Sequence, residues 1–286
     1  MVRFTKMEGL GNDYIYVNNM AEQIPEERLP ALAIAVSERH FGVGADGLIV
    51  ILPPKTAGHD FRFRMFNADG SEGEMCGNGM RCFARYCYDR KLTQKTQLRV
   101  ETLAGTIVPE IMPGPDGQVT GVRVDMGEPR LKRSLIPMTG AEAERVLDES
   151  LTVAGHTYQI SAVSMGNPHV MIYVDDVESV DLAGIGPQIE HHPLFPRRTN
   201  VHFVQAISRS ELKMRTWERG SGITLACGTG ASAVLVATNL LGRCDREALI
   251  HLPGGDLRIK WDEASNHVFK TGPATFVCDG QFLKPY

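Results

Sequence analysis

Two cysteines of this 286-residue chain share one setting. Cys76 lies in "EMCGNGMRCFARYCYD" (74–89) and Cys227 in "LACGTGASAVLVATNL" (225–240), each directly before Gly-x-Gly and a run patterned as a helix. The first turn of a helix carries unpaired N–H groups and the positive end of the macrodipole, so a thiol there is favoured as thiolate. The glycines leave backbone N–H groups open to an anion. One such helix end would hold a carboxylate and set a base beside it. Two facing ends would set a base on each side of one carbon, which suits racemisation. One thiolate removes the α-proton, the opposite thiol protonates the other face, and the N–H donors take up charge on the carboxylate. That chemistry requires neither metal nor pyridoxal, and the sequence offers no credible site for either. A free cysteine is ordinarily a buried small hydrophobe, and Cys82, Cys87, Cys244 and Cys278 are read that way. The duplicated setting separates Cys76 and Cys227 from them.

The elements that must position these residues nearly repeat along the chain. Short β-branched and aromatic runs such as "VRFTKM", "DYIYVNN", "GLIVIL", "FRFRMF", "HVMIYV" and "ELKMRTW" are divided by turn residues, while helical patterns are confined to 26–40, 76–89, 141–149 and 227–241. Strands outnumber helices without alternating strictly, which predicts an α+β fold rather than a doubly wound parallel sheet. "GNDYIYV" (11–17) resembles "GNPHVMIYV" (166–174), and "FRFRMFNADGSEGEMCGNG" (61–79) matches "LKMRTWERGSGITLACGTG" (212–230) in character and ending. Strand, strand, Gly-Ser turn, cysteine and helix thus recur in one order at similar spacing. The repeat predicts two similar lobes facing each other, with a boundary near "MGEPRLKRSLIP" (126–137).

Bulk properties exclude several classes. The net charge of -4 gives no sign of a nucleic-acid partner. No apolar stretch approaches the ~18 residues of a membrane span, and "MVRFTKMEGLGNDYIYV" has no apolar core of a signal peptide. The six cysteines include no Cys-x-x-Cys, so reduced thiols in a cytoplasmic protein are expected.

With these residues in view, the chain resembles the diaminopimelate epimerase family over essentially its whole length. The resemblance rests on "KMEGLGNDY", "GVGADG", "FNADGSEGEMCGNGMRC", "GNPH", "RTNVHFV", "WERGSGITLACGTGA" and a late "GPA". It implies interconversion of LL- and meso-2,6-diaminopimelate, on the way to lysine and cell-wall precursors, with no cofactor and no metal. It implies two pseudo-symmetric lobes, each a mostly antiparallel strand wrap around a central helix, with the site in the cleft between them. Residues 1–127, with a returning strand at 275–286, would form the first lobe and 128–274 the second. Cys76 and Cys227 take the acid/base roles. Gly77 with Asn78, and Gly228 with Thr229, would donate to the reacting carboxylate. Glu218 would pair with the α-ammonium and, with His169, tune the thiols. Asn12, Asn67, Asn167, Asn200 and Arg219 would surround the substrate, several of them at its distal end, where Arg219 can grip a carboxylate with two parallel bonds. Relatives commonly carry Gln two or three residues after Gly-Val-Gly, where this chain has Asp46-Gly47, so no substrate contact is carried onto Gly47. The resemblance leaves a homodimer open.

Other readings compete. A proline racemase type would need no distal clamp, a binding protein that kept the fold need not retain both cysteines, and a thiol–disulfide oxidoreductase would want neighbouring ones. "GVGADG" (42–47) satisfies G-x-G-x-x-G, but it follows a helical run and leads into a strand, the reverse of a dinucleotide site. His191-His192 has no ligand partner at sensible spacing. Arg81 and Arg85, one helical turn apart, are read as a solvated face.

Overall fold

A helix that is apolar all round must be wrapped by other structure, and the run after Cys227 is one, with every residue from Gly230 to Thr238 buried. In the computed structural model, which describes residues 1–286, the chain divides into two compact units, Met1–Val124 with Gly272–Tyr286, and Asp125–Thr271.

The first unit runs through β1 (Val2–Gly9), β2 (Asn12–Asn18), α1 (Asn19–Glu22), α2 (Leu29–Ser37), β3 (Gly47–Leu52), β4 (Phe61–Asn67), β5 (Glu72–Gly73), α3 (Gly77–Asp89), β6 (Val100–Thr102) and β7 (Gly105–Ile107). A hairpin of β8 (Glu110–Pro113) and β9 (Val119–Asp125) follows. The second unit holds β10 (Val146–Val153), β11 (His156–Ser164), β12 (Pro168–Tyr173), α4 (Leu182–Glu190), β13 (Asn200–Ser208), β14 (Glu211–Glu218), β15 (Gly222–Thr224), α5 (Gly228–Leu240), β16 (Glu247–Leu252), β17 (Gly255–Trp261) and β18 (Val268–Gly272). The chain then returns to the first unit as β19 (Thr275–Phe282), antiparallel to β1.

Strand order in the first unit is β19-β1-β2-β3-β4-β6-β7, with β5 on β4; in the second it is β10-β11-β12-β13-β14-β16-β17-β18, with β15 on β14. The two orders agree step for step in sense as well. β2/β3 and β4/β6 are parallel, as are β12/β13 and β14/β16, while the remaining steps are antiparallel. The parallel steps occur where a helix intervenes, as the crossover of a parallel pair demands. α3 packs against β1, β2, β3 and β8, and α5 against β11, β12, β13, β16 and β17. Each sheet therefore wraps a central helix whose first turn follows a cysteine. Buried side chains such as Leu235 and Val236 of α5 each stabilise that wrap by about 1.5–3 kcal/mol. On the outer faces, α2 packs on the first sheet through Leu29, Leu32 and Val36, and α4 on the second through Leu182 and Ile189.

Three elements differ from the sequence reading. Residues 141–149 form no helix; Val146 begins β10, where Val146, Leu151 and Val153 are buried on the second sheet. The helix formers of "AEAERVLDES" are overridden by tertiary packing. The run 26–40 is helical over less of its length, a 3-10 turn at Glu26–Arg28 leading into α2. α4 went unrecognised because Gly184, Gly186 and Pro187 are poor helix formers. Its start is fixed by Asp181, whose carboxylate accepts from Gly184 N at 3.0 Å. Gly186 leaves room for Trp217, whose Cγ a Cβ there would meet at 2.6 Å. No helix is long and apolar enough to cross a membrane.

Candidate active site

In the first unit Cys76 is the N-cap of α3, in extended conformation, and its sulfur accepts from Gly79 N at 3.4 Å. The thiol donates to Asn12 Oδ1 at 3.3 Å, an oxygen that also receives Asn78 Nδ2 at 3.5 Å. Asn12 is oriented from behind, since its Nδ2 donates to Asp46 at 2.7 Å, which leaves the oxygen for the thiol. Asp46 also accepts from Asp13 N and Arg39. Burial, with Cys76 beside it, pushes the Tyr14 phenol above its usual range.

Behind this turn stands Arg81, and here the solvated-face reading fails. Its side chain is 0 % exposed, with Nη1 donating to Asn78 Oδ1 at 2.9 Å and Nε to the Pro273 carbonyl at 2.9 Å. Helical spacing put Arg81 and Arg85 on one face, but that face is covered by β1 and by the segment before β19. Arg85 donates to the carbonyl of Ala274 and pairs with Asp89. Cys82 and Cys87 are buried, and burial pushes the Cys82 thiol up to about 12 and that of Cys87 up further. Cys244 is buried too, whereas Cys278 is exposed on β19 and is not the buried hydrophobe expected.

Asn67 closes β4, exposed, with its amide donating to Ser71 Oγ at 2.9 Å across the turn. It pairs with Gly47 in the β3–β4 register. A Cβ at Gly47 would overlap the Phe66 carbonyl oxygen and lie 3.1 Å from the Tyr14 ring. This backbone therefore has no space for a Gln at 47, while the preceding residue, Asp46, supplies the carboxylate that holds Asn12.

In the second unit Cys227 is the N-cap of α5, 3 % exposed, with Thr229 Oγ1 3.8 Å from its sulfur. Burial and then the Glu218 carboxylate push this thiol well above the usual range, against a lowering by the Gly230 N–H. Glu218, at the end of β14, accepts from Thr224 Oγ1 at 2.6 Å. Asn167 donates to Thr229 Oγ1 at 3.4 Å and accepts from His169 Nε2 at 2.9 Å. With Nε2 as donor, His169 Nδ1 must accept, and the donor is His202 Nε2 at 2.9 Å. His202 Nδ1 then accepts from Thr216 Oγ1 at 2.9 Å. One tautomer of each ring satisfies the chain. Burial holds both rings neutral, lowering His202 to about 3 and His169 well below its usual value.

Asn200, beside His169 in the β12–β13 register, donates to the Pro168 carbonyl at 2.9 Å and accepts Arg219 N at 3.0 Å. The Arg219 guanidinium donates to the Arg197 carbonyl. Glu190, buried at the end of α4, fixes this corner by accepting from Trp217 Nε1 at 2.7 Å and Gly220 N at 3.1 Å. At Gly228 a Cβ would overlap the ammonium of buried Lys270. His191 and His192 spend their Nδ1 atoms on local backbone groups.

The first unit thus assembles Asn12, Cys76, Gly77 and Asn78, with Asn67 apart at the strand end. The second assembles Asn167, His169, Cys227, Gly228 and Thr229, with Glu218, Asn200 and Arg219 around the end of β14. Asp46, Arg81, Glu190, His202 and Lys270 were missed as supports. Asp46, Arg81 and His202, which stand inside the quoted motifs, carried a signal; Glu190 and Lys270 did not.

A family model described as Diaminopimelate epimerase matches residues 4–132 and 161–277. A protein of Moorella thermoacetica named diaminopimelate epimerase is 54 % identical over 282 residues, 98 % of this chain and 99 % of that protein. One of Pelotomaculum thermopropionicum with the same name is 52 % identical over 285 residues, 100 % and 99 % of the two chains. Among solved structures, a PhzF-family phenazine biosynthesis protein of Bacillus anthracis matches with TM-score 0.70 at 18 % identity, covering 99 % of both chains. A hydroxyproline epimerase of Agrobacterium vitis matches with TM-score 0.62 at 16 % identity, covering 98 % of this chain and 90 % of that one. These two show a shared fold.

Proposed function

The chain belongs to the diaminopimelate epimerase family, and on that premise we propose that it interconverts LL- and meso-2,6-diaminopimelate in the cytoplasm by a two-thiol, cofactor-independent route. The observation that carries the reading is the repeated cap: one cysteine before the first turn of the central helix in each of two units of the same topology. In this reading the α-carboxylate lies against the N–H groups of Gly77, Asn78, Gly228 and Thr229, and Glu218 receives the α-ammonium. Asn67, Asn200 and Arg219 serve the distal amino-acid end.

The α-proton leaves to one thiolate while the other cysteine, as thiol, protonates the opposite face, and the roles exchange for the reverse direction. The negative charge passes to the carboxylate, where helix N–H donors meet it without reorganisation. Asn12 Oδ1, turned toward Cys76 by Asp46, accepts the S–H when Cys76 is the acid. On the other side Glu218 and burial keep Cys227 protonated until substrate enters.

Cys76→Ala and Cys227→Ala should each abolish epimerisation while leaving the fold intact. The assay is deuterium uptake from solvent into diaminopimelate with no added cofactor. Near wild-type turnover by either variant would overturn the two-thiol reading.

A further inference from the structure

His169, His202 and Cys227 reach one point from three elements: β12, β13 and the cap of α5. Their donor atoms all lie within 4.8 Å of one another, and all three side chains are buried. The closeness depends on Gly230. A Cβ there would overlap His202 Cε1 and lie 2.8 Å from its Nε2 and 3.0 Å from Cys227 Sγ. The hydrogen-bond chain leaves His169 Nδ1 and His202 Nε2 facing each other with one proton between them, beside the thiol. Each ring's far nitrogen already has a partner, Asn167 for His169 and Thr216 for His202.

Two neutral imidazoles and a thiol, each imidazole braced by a hydrogen bond to its other nitrogen, are the donor set and supporting shell of a three-ligand zinc site. Zinc bonds of about 2.0–2.1 Å to nitrogen and 2.3 Å to sulfur place tetrahedral donors roughly 3.3–3.6 Å apart. The two nitrogens, now at 2.9 Å, need only part slightly, and the sulfur needs only close in.

We propose that these three residues form a binding site for a borderline-soft divalent cation of the zinc class, and that its occupation withdraws Cys227 from catalysis. When the ion binds, the Cys227 S–H proton goes to solvent. The His202 proton moves from Nε2 to Nδ1, where Thr216 Oγ1 turns from donor to acceptor. His169 keeps its proton on Nε2. One proton is released per ion, nothing is oxidised, and a water completes the coordination. Magnesium and calcium, which want oxygen donors, do not compete. Binding is independent of the proposed reaction; inhibition rests on the role given to Cys227.

The test is a cobalt(II) titration of the reduced, full-length protein, followed by zinc competition and epimerase assays. One equivalent should bind with a thiolate-to-cobalt charge-transfer band and the intense visible bands of four-coordinate cobalt. Cys76→Ala should bind alike. Cys227→Ala should lose the charge-transfer band, and His202→Phe should bind at least about a hundredfold more weakly. Thr216→Val, which keeps all three ligands, should bind about 10–100-fold more weakly. Zinc should inhibit, and EDTA should restore activity. No charge-transfer band in the wild type, or wild-type affinity in His202→Phe and Thr216→Val, would overturn the site. Binding at these ligands without inhibition would overturn the inhibitory half, together with the role of Cys227.

Discussion

Gly79 and Gly230 occupy the same position, third in their helices after Cys76 and Cys227, yet alanine at the two should have very different effects. Replacing a helical glycine by alanine gains up to about 1 kcal/mol. At 79 the new methyl meets chiefly the terminal methyl of Ile49, at 2.5 Å. Moving that group off its preferred rotamer costs about 0.5–1.5 kcal/mol, so the net change should stay within about 1 kcal/mol of zero. At 230 the methyl overlaps a ring that cannot swing away, because Thr216 and His169 hold both of its nitrogens. Overpacking costs about 1–3 kcal/mol, and a buried imidazole nitrogen left unpaired costs another ~1–3 kcal/mol. After the helix gain, Gly230→Ala should lose about 1–5 kcal/mol. Both tryptophans, Trp217 and Trp261, lie in the second unit, so their fluorescence reports its unfolding alone. For a unit of this size about 2–4 °C accompanies each kcal/mol, which places the expected fall at roughly 2–20 °C. Gly79→Ala should leave the tryptophan transition where it is. Equal shifts in the two variants, or none at 230, would refute the claim that His202 is fixed behind Cys227.

Three further outcomes are expected. Arg219→Lys should raise KM for diaminopimelate about tenfold or more, since lysine lacks the planar fork, and the loss should shrink for a substrate without the distal carboxylate; equal losses would move Arg219 from that end. Acid should destabilise the second unit, because His169 and His202 hold folded pKa values below the unfolded value of 6.5, that of His202 at about 3. The unfolded chain then binds more protons, and stability present above pH ~6.5 is lost on acidification by roughly 1.4 kcal/mol per unit for each ring, read as tryptophan midpoints from pH 7.5 to about 5. His202→Gln should reduce that slope, and an unchanged slope would count against the buried neutral pair. Finally, mild oxidant should inactivate the enzyme through a Cys76–Cys227 bond, reversed by dithiothreitol and prevented by substrate; a peptide map linking Cys76 to Cys82 or Cys87 would contradict thiols that serve one carbon.

The parts of the fold that could be read from sequence were those where one local signal sufficed. Cys-Gly-x-Gly before an apolar run gave the start of α5, because an unpaired first turn and an apolar surface leave few alternatives. Where local preference opposed tertiary demand, tertiary demand won. Residues 141–149 favour a helix by composition, but Val146, Leu151 and Val153 complete the core of the second sheet, and from Val146 the chain is a strand. Arg81 failed for a related reason: helical spacing says which residues share a face, but not what covers that face. Asn67, expected around the substrate, has its amide held by Ser71 across the turn that follows β4, a contact that no local pattern announced.

The supports of the two cysteines were not legible, because the duplication conserved the position of each cap and not its surroundings. In the first unit the thiol meets an amide oxygen backed by a carboxylate, and the guanidinium of Arg81 stands behind Asn78. The residue at the corresponding place of α5 is Ser232, whose hydroxyl turns back to the Gly228 carbonyl at 3.0 Å. The second thiol instead borders two neutral imidazoles, with Glu218 near enough to oppose its ionisation. In the proposed mechanism, a pair of bases that exchange roles on one carbon would gain from such asymmetry. If both thiols lay in one environment, neither would be favoured as the acid, and a free enzyme with both ionised or both protonated could run the reaction in neither direction. Burial of Cys227 beside a carboxylate disfavours the doubly ionised form, so the protein's own charges select a thiol at one cap before substrate arrives.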